Sequence, residues 1–98
     1  MMIKHIVMWN LKEENKDKNA LEIKTRLEAL KTIIPQIHSI EVGRNFNESD
    51  MAYDLVLYTE FETKEDLEIY QNHPAHKAVA KFVAEVRTAR VVGDYELK

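Results

Sequence analysis

The 98-residue sequence predicts one α+β domain with the element order β-α-β-β-α-β. Two kinds of stretch carry this prediction: some have alternating apolar residues, and others have apolar residues that recur every three or four positions. The order in which these stretches follow one another is the third observation. A chain of this length can build one hydrophobic core but not two. We therefore expect a single domain over residues 1–98, made of two similar halves.

Composition excludes several classes of protein. The formal net charge is −3, with acidic and basic residues interspersed, which argues against a basic nucleic-acid-binding surface. The chain has no cysteine, so neither a disulfide framework nor a cysteine metal site is expected. The first residues lack the apolar run of a signal peptide, and nothing approaches the ~20 apolar residues of a membrane span. We expect a cytoplasmic protein with neither nucleic acid nor a membrane as its partner.

The first half of the chain reads as a strand, a helix and a second strand. Alternation over residues 2–11 predicts the strand, whose odd positions form an apolar stripe interrupted by His5. Steps of three and four predict a helix over residues 16–34, which Pro35 ends. The second strand is predicted over residues 37–45. The helix stripe consists of Ala20, Ile23, Leu27, Leu30 and Ile34.

The second half repeats this order. A strand is predicted over residues 52–61, and Thr63 then caps a helix with Asp66 three positions later. The helix restarts at His73-Pro74, because proline is favoured at the first helical position. The last strand is predicted over residues 88–97. The restarted helix has the apolar stripe Val79, Phe82, Val83 and Val86.

This element order is typical of a ferredoxin-like sandwich, in which one antiparallel sheet carries both helices on one face. If His5 faces the helices, the opposite face of the sheet still carries apolar side chains that water would contact. Packing that face against a second copy about a two-fold axis would bury them. We therefore predict a homodimer; the alternative is that lysine and glutamate stems cover the face. The apolar residues predicted there are Ile6, Met8, Val56 and Val92.

Short segments along the whole chain carry a family resemblance. The most specific spans residues 70–76 and reads Tyr-x-x-His-Pro-x-His. The others span residues 3–7, 34–35, 42–45, 53–55, 61–63 and 94–96. In their order and spacing they resemble the stress-responsive dimeric A/B-barrel (Dabb) family. The resemblance implies a ferredoxin-like subunit whose open sheet pairs with its twin into a dimeric α/β barrel.

The resemblance also implies a candidate site. One plant member of the family cyclises a polyketide without metal or cofactor, and its acid/base histidines correspond to His5 and His76. A tyrosine of its pocket corresponds to Tyr70. A second pocket tyrosine, on the first helix of that cyclase, is replaced here by Leu27. This departure removes a polar pocket group and weakens the inference that the substrate is a polyketide.

The physical chemistry of the two histidines leaves alternatives open. A buried imidazole needs partners for its ring nitrogens, so His5 is either a core residue bonded to a backbone carbonyl, Tyr70 or Tyr95, or a pocket residue that exchanges protons near neutral pH. His76 lies in the first helical turn after Pro74, where the positive end of the helix favours a neutral ring. We expect His5 and His76 to share one cavity, with Tyr70 on its wall.

Three functions remain as hypotheses. The first is a cofactor-free protein that binds an apolar or carbonyl-bearing metabolite, with His5, His76 and Tyr70 as catalytic residues and cyclase- or isomerase-like chemistry. The second is a stress-associated structural or binding domain without turnover. The third, suggested by Asn10 and the histidines, is a cofactor-free or haem-dependent monooxygenase. His73 and His76 lack a supporting carboxylate at helical spacing, so no metal site is predicted.

Overall fold

A computed structural model describes all residues from Met1 to Lys98. Four antiparallel strands form one sheet in the order β2-β3-β1-β4, with three α-helices completing a ferredoxin-like sandwich. The predicted fold class and element order are confirmed, with the second helical region divided into two helices. The elements are β1 (Met2–Leu11), α1 (Lys16–Ala29), β2 (Ser39–Arg44), β3 (Leu55–Phe61), α2 (Lys64–Asn72), α3 (Pro74–Val86) and β4 (Arg87–Leu97).

The central strand β1 separates two unlike faces of the sheet. It pairs with β3 on one side and with β4 on the other. Its odd-numbered residues belong to the buried core together with apolar residues of α1, α2 and α3. This helix-covered face includes His5, as the alternation predicts. The buried members on β1 are Ile3, His5, Val7, Trp9 and Leu11.

Both predicted helix starts are confirmed, and their caps explain them. The Thr63 side chain accepts a hydrogen bond of 3.0 Å from the Asp66 backbone N–H at the start of α2. His73 ends α2 and caps α3, where its Nδ1 accepts a 3.0 Å bond from the Ala75 N–H. Pro74 is the first residue of α3, where its missing N–H leaves no helical hydrogen bond unmade.

Some predicted boundaries were wrong. The first α-helix ends at Ala29, and a single 3-10 turn over Leu30–Thr32 follows before Pro35. The third strand starts at Leu55 rather than residue 52, because Asp54 leaves the ladder. Its carboxylate accepts from the Leu11 N–H at 2.8 Å, while its own N–H donates to the Trp9 carbonyl at 3.0 Å.

The predicted placement of Val92 was also wrong. Val92 lies opposite Val7 in the β1–β4 register, which puts it on the helix-covered face. Val91 and Tyr95 lie opposite Met8 and Lys4 and occupy the open face instead. Two adjacent valines do not determine the phase of an edge strand, so its pairing with β1 decides which one faces outward.

None of the helices has the length and apolar character that a membrane crossing requires.

Candidate functional site

His5 is held in place from two neighbouring strands. Its side chain is only 3% exposed, and its Nδ1 contacts the Asp94 carboxylate, which lies opposite it on β4. From β3, the buried Thr59 hydroxyl donates a 2.8 Å hydrogen bond to the His5 carbonyl. A carboxylate oxygen only accepts, so Nδ1 carries the proton and Nε2 is the nitrogen available for chemistry.

The partner of His5 differs from the three that the sequence suggested. The expected partners were a backbone carbonyl, Tyr70 or Tyr95, whereas the observed partner is Asp94. Tyr95 lies opposite Lys4 and therefore faces away from His5. From the sequence, Asp94 near the chain end is expected to be a solvated charge. Only the antiparallel pairing of β4 with β1 brings it to the histidine.

Tyr70 lies between the two histidines and the core. It is fully buried, and its ring centroid is 4.4 Å from that of His76, 6.3 Å from that of His5 and 5.1 Å from that of Phe61. Its hydroxyl has no hydrogen-bond partner in the protein. Burial raises the pKa of Tyr70, so the hydroxyl stays protonated.

His76 is oriented as a base. It lies in the first turn of α3, and its Nδ1 is 3.2 Å from the Gln71 carbonyl oxygen. Because a carbonyl only accepts, Nδ1 holds the proton and the lone pair is left on Nε2. Burial lowers the pKa of His76, and the nearby charges of His5 and Arg90 lower it further, while the bond to Gln71 raises it. The ring is therefore neutral near pH 7.

His5 and His76 line the same cavity, which has a volume of about 120 Å³ between the sheet and the helices. Tyr70 is not among the lining residues, so its expected place on the cavity wall was wrong; it packs behind the rings. Leu27, at the position of the cyclase tyrosine, contributes to the apolar wall. The complete lining is His5, Val7, Trp9, Leu27, Leu57, Gln71, His76, Val79, Ala80, Val83, Arg87 and Arg90.

Two arginines of β4 that were not predicted from the sequence also line this cavity. Arg90 lies opposite Trp9 and Arg87 opposite Leu11, on the same face as His5. In a regular strand, residues three positions apart lie on opposite faces, so the sequence does not indicate that both arginines face the cavity. A register shift between Asn10 and Leu11 brings both arginines to one face.

Other candidate groups have structural contacts. The Asn10 side-chain oxygen accepts a 3.1 Å hydrogen bond from the Asp54 N–H, which ties β1 to the start of β3. His73 is the cap of α3. No three His, Asp or Glu side chains are grouped in a way that could hold a metal ion.

Comparison with known proteins identifies the family that the chain matches. The model of the stress-responsive A/B barrel domain matches residues 3–97. A dimeric ferredoxin-like protein of unknown function from Bacteroides fragilis is 37% identical, with a TM-score of 0.89, over 98% of this chain and 96% of that one. No curated protein matches the sequence.

More distant structures share the fold. A dimeric ferredoxin-like protein of unknown function from a Jannaschia species is 25% identical, with a TM-score of 0.83, over 99% of this chain and all of that one. A hydroxynitrile lyase from Passiflora edulis is 18% identical, with a TM-score of 0.88, over 99% of this chain and 94% of that one. At this identity the lyase is informative about the fold alone.

Proposed function

The chain belongs to the stress-responsive A/B barrel domain family, and on that basis we propose that it binds a small carbonyl-bearing molecule and catalyses proton transfer on it without a cofactor. The observation that carries the proposal is the arrangement of His5 and His76. Two histidines from distant parts of the chain line one cavity, and each has its Nδ1 occupied by an acceptor. Two correctly oriented imidazoles are the groups that enolisation requires.

In the proposed reaction His76 acts first. Its neutral Nε2 removes a proton from the carbon next to the ligand's carbonyl, and the electron pair of the broken C–H bond moves into the enolate. In the reacting form His5 carries a second proton, on Nε2; it donates this proton to the enolate oxygen, which gives the enol and leaves His5 neutral with its Nδ1–H bonded to Asp94. Asp94 orients the His5 ring and stabilises its charged form, in the way that the aspartate of a hydrolase triad supports its histidine.

Tyr70 has a supporting part in this proposal. Its ring packs against His76 at 4.4 Å and restricts the orientation of the imidazole. Its buried hydroxyl lacks a partner, which is unusual because buried polar groups are normally hydrogen-bonded. We propose that Tyr70 acts through His76, and that a shift of the His76 ring when the ligand binds supplies a partner for the buried hydroxyl.

The rival hypothesis is a stress-associated binding domain in which the histidines are structural residues of the core. Such a domain has no need for a histidine pair on a cavity, nor for a base with a free lone pair. The cavity of about 120 Å³ and the orientation of His76 therefore favour the catalytic hypothesis. A relative with the same fold bears the name hydroxynitrile lyase, so the fold is compatible with catalysis.

Hydrogen exchange tests the catalytic proposal directly. The protein is incubated in D₂O with small ketones, aldehydes and oxo acids, and deuterium incorporation next to the carbonyl is followed by ¹H NMR. We expect His76→Ala to abolish exchange while the fold is retained. The matched control is His38→Ala, since His38 is exposed and lies outside the cavity. Two results would contradict catalysis and leave only the binding-domain hypothesis. One is exchange that persists in His76→Ala, and the other is a wild-type protein that exchanges none of the carbonyl compounds.

We also propose that the open face of the sheet is the homodimer interface. The face consists of alternate residues of each strand, including Ile6, Met8, Val56, Val91 and Tyr95. Val91 and Tyr95 are 42% and 51% exposed in one chain, although both are large and apolar or aromatic. The relative that is 37% identical is described as dimeric, which supports a second copy as the occupant. Sedimentation that finds a stable monomer at micromolar concentration would contradict this assignment.

A further inference from the structure

The arginines of the cavity differ from the other arginines of the chain. Arg26 pairs with Glu22 at 2.7 Å and Arg44 pairs with Asp17 at 3.0 Å, both on the outer surface. Arg87 and Arg90 form neither an ion pair nor a side-chain hydrogen bond, although acidic residues outnumber basic ones in the sequence. The two unpaired guanidinium groups therefore lie at the cavity that contains the histidines.

The charges around the cavity leave an excess of positive charge. Asp94 and Glu96 are the acidic residues on the same strand and face. The Asp94 carboxylate is engaged by His5. Glu96 lies opposite Ile3, outside the cavity, with Lys98 at 3.9 Å. Gln71, which also lines the cavity, is uncharged. His76 adds no charge near neutral pH. A site with two free guanidinium groups and no free carboxylate attracts an anion, and a planar guanidinium group can donate two parallel hydrogen bonds to one carboxylate.

The remaining walls restrict what the anion can carry. Seven of the twelve lining residues are apolar, including Trp9 and Leu57. The volume of about 120 Å³ is slightly smaller than the ~150 Å³ of an engineered cavity that holds benzene. A ligand of a few carbon atoms therefore fits within this volume.

We propose that the ligand of this site is a small oxo acid, bound with its carboxylate on Arg87 and Arg90 and its carbonyl end toward His5 and His76. The proposal rests on the proton-transfer function and names its substrate class. The arginines bind and position the carboxylate, and the histidines act on the carbon next to the carbonyl. The apolar walls contact the remaining alkyl chain.

A matched pair of probes tests the proposal. 2-Oxobutanoate carries the carboxylate, and 2,3-pentanedione replaces it with an uncharged acetyl group of similar shape. Binding of each is measured by NMR titration to the wild type, to the double variant Arg87→Gln/Arg90→Gln, and to Arg44→Gln as the control for loss of a surface arginine. We expect the double variant to lose roughly tenfold or more in affinity for 2-oxobutanoate, as for loss of a hydrogen bond to a charged group. Its affinity for the dione should stay unchanged.

The outcomes separate this proposal from the proton-transfer function. Equal binding of both probes to the wild type, or unchanged 2-oxobutanoate binding in the double variant, would overturn the oxo-acid assignment. Stronger competition by inorganic phosphate than by 2-oxobutanoate would also overturn it, in favour of a phosphate site. Arginine-dependent binding of 2-oxobutanoate without deuterium exchange would support the ligand class and contradict catalysis. His76-dependent exchange of the dione alone, without arginine dependence, would support catalysis and contradict the ligand class.

Discussion

His5 and Lys4 are neighbours on β1, yet their side chains enter two very different environments. Both are nearly buried, at 3% and 9% exposure, and each pairs with one carboxylate, Asp94 for His5 and Glu60 for Lys4. On the open face the polar groups satisfy one another, because Glu60 also accepts from the Tyr58 hydroxyl at 3.0 Å.

On the helix-covered face several polar groups have hydrogen-bonding atoms or charges without a partner in the protein. Tyr70 has an unpartnered hydroxyl, His76 has a free ring nitrogen, and Arg87 and Arg90 have no carboxylate. Polar groups without partners beside a cavity are expected where a ligand binds. A cluster of polar groups that already bond to one another, set in an apolar surface, suits a protein interface. The difference supports the two proposals, that a ligand binds at the helix-covered face and that the subunit self-associates through the open face.

The largest expected effect comes from placing the same charge on either face. Leu57 is 2% exposed on the helix-covered face, and its neighbour Val56 lies on the open face. Leu57→Asp should unfold the subunit, since it combines loss of a core side chain, at least ~2–5 kcal/mol, with burial of an unpaired charge. Val56→Asp should preserve the subunit fold and dissociate the dimer. Circular dichroism and sedimentation measure the two results, and an intact Val56→Asp dimer would refute the interface.

The second prediction separates the two histidines. His5→Ala should abolish exchange and also lower the free energy of unfolding by about 1–3 kcal/mol, because it opens a void and frees Asp94. His76→Ala should abolish exchange with a much smaller loss of stability, since alanine suits the first turn of a helix. Denaturant titration alongside the exchange assay distinguishes them. Equal stability losses would mean that His76 is as much a core residue as His5.

The third prediction concerns the pH dependence of stability, because the titratable groups of the two faces affect stability in different pH ranges. Because burial lowers the pKa of His76 below 6.5, the folded state binds fewer protons there than the unfolded state. Stability from this group is therefore complete above pH 6.5 and falls as the pH drops through the lowered pKa. The hydrogen bond from Lys4 is the main cause that lowers the pKa of Glu60 below 4.5, so its contribution is lost only at pH values below 4.5.

Melting temperature measured against pH checks both windows. His76→Gln should flatten the curve just below pH 6.5, and Glu60→Gln should flatten it below pH 4.5, where Glu28 contributes in the same sense. Exchange activity should rise with pH through the pKa of His76, since only the neutral ring is a base. A wild-type curve that is level between pH 6.5 and 4.5 would show that His76 is not buried as described.

The smallest effect is expected at the junction that sets the start of α3 and hence the position of His76. Pro74→Gly should lower the free energy of unfolding by about 1 kcal/mol, mainly because glycine raises the entropy of the unfolded chain. Exchange activity should fall only modestly. Pro35→Gly, outside the site, is the control for stability loss without an effect on exchange. An unchanged melting temperature for Pro74→Gly would show that the proline does not shape the junction.

Features with a strong local signal were predictable. Alternation along β1 correctly placed His5 with Val7 and Trp9, and the caps at Thr63 and His73 follow from residue chemistry over three or four positions. These features depend on backbone periodicity and short-range hydrogen bonds, so the residues that cause them are adjacent in the chain. The fold class follows from the order of such elements.

Features of the site that depend on strand pairing were not predictable. Asp94 meets His5 across 89 positions, the face of Val92 depends on the β1–β4 register, and the arginines reach the cavity through a register shift next to Leu11. Local periodicity is weak in β4, an edge strand that is mostly exposed, so it determined neither the face nor the partners of these side chains. Local sequence was therefore sufficient to identify the strands, the helices and the candidate histidines. Only the pairing of β4 with β1 decided which charges surround those histidines, because a register is set by contacts between residues far apart in the chain.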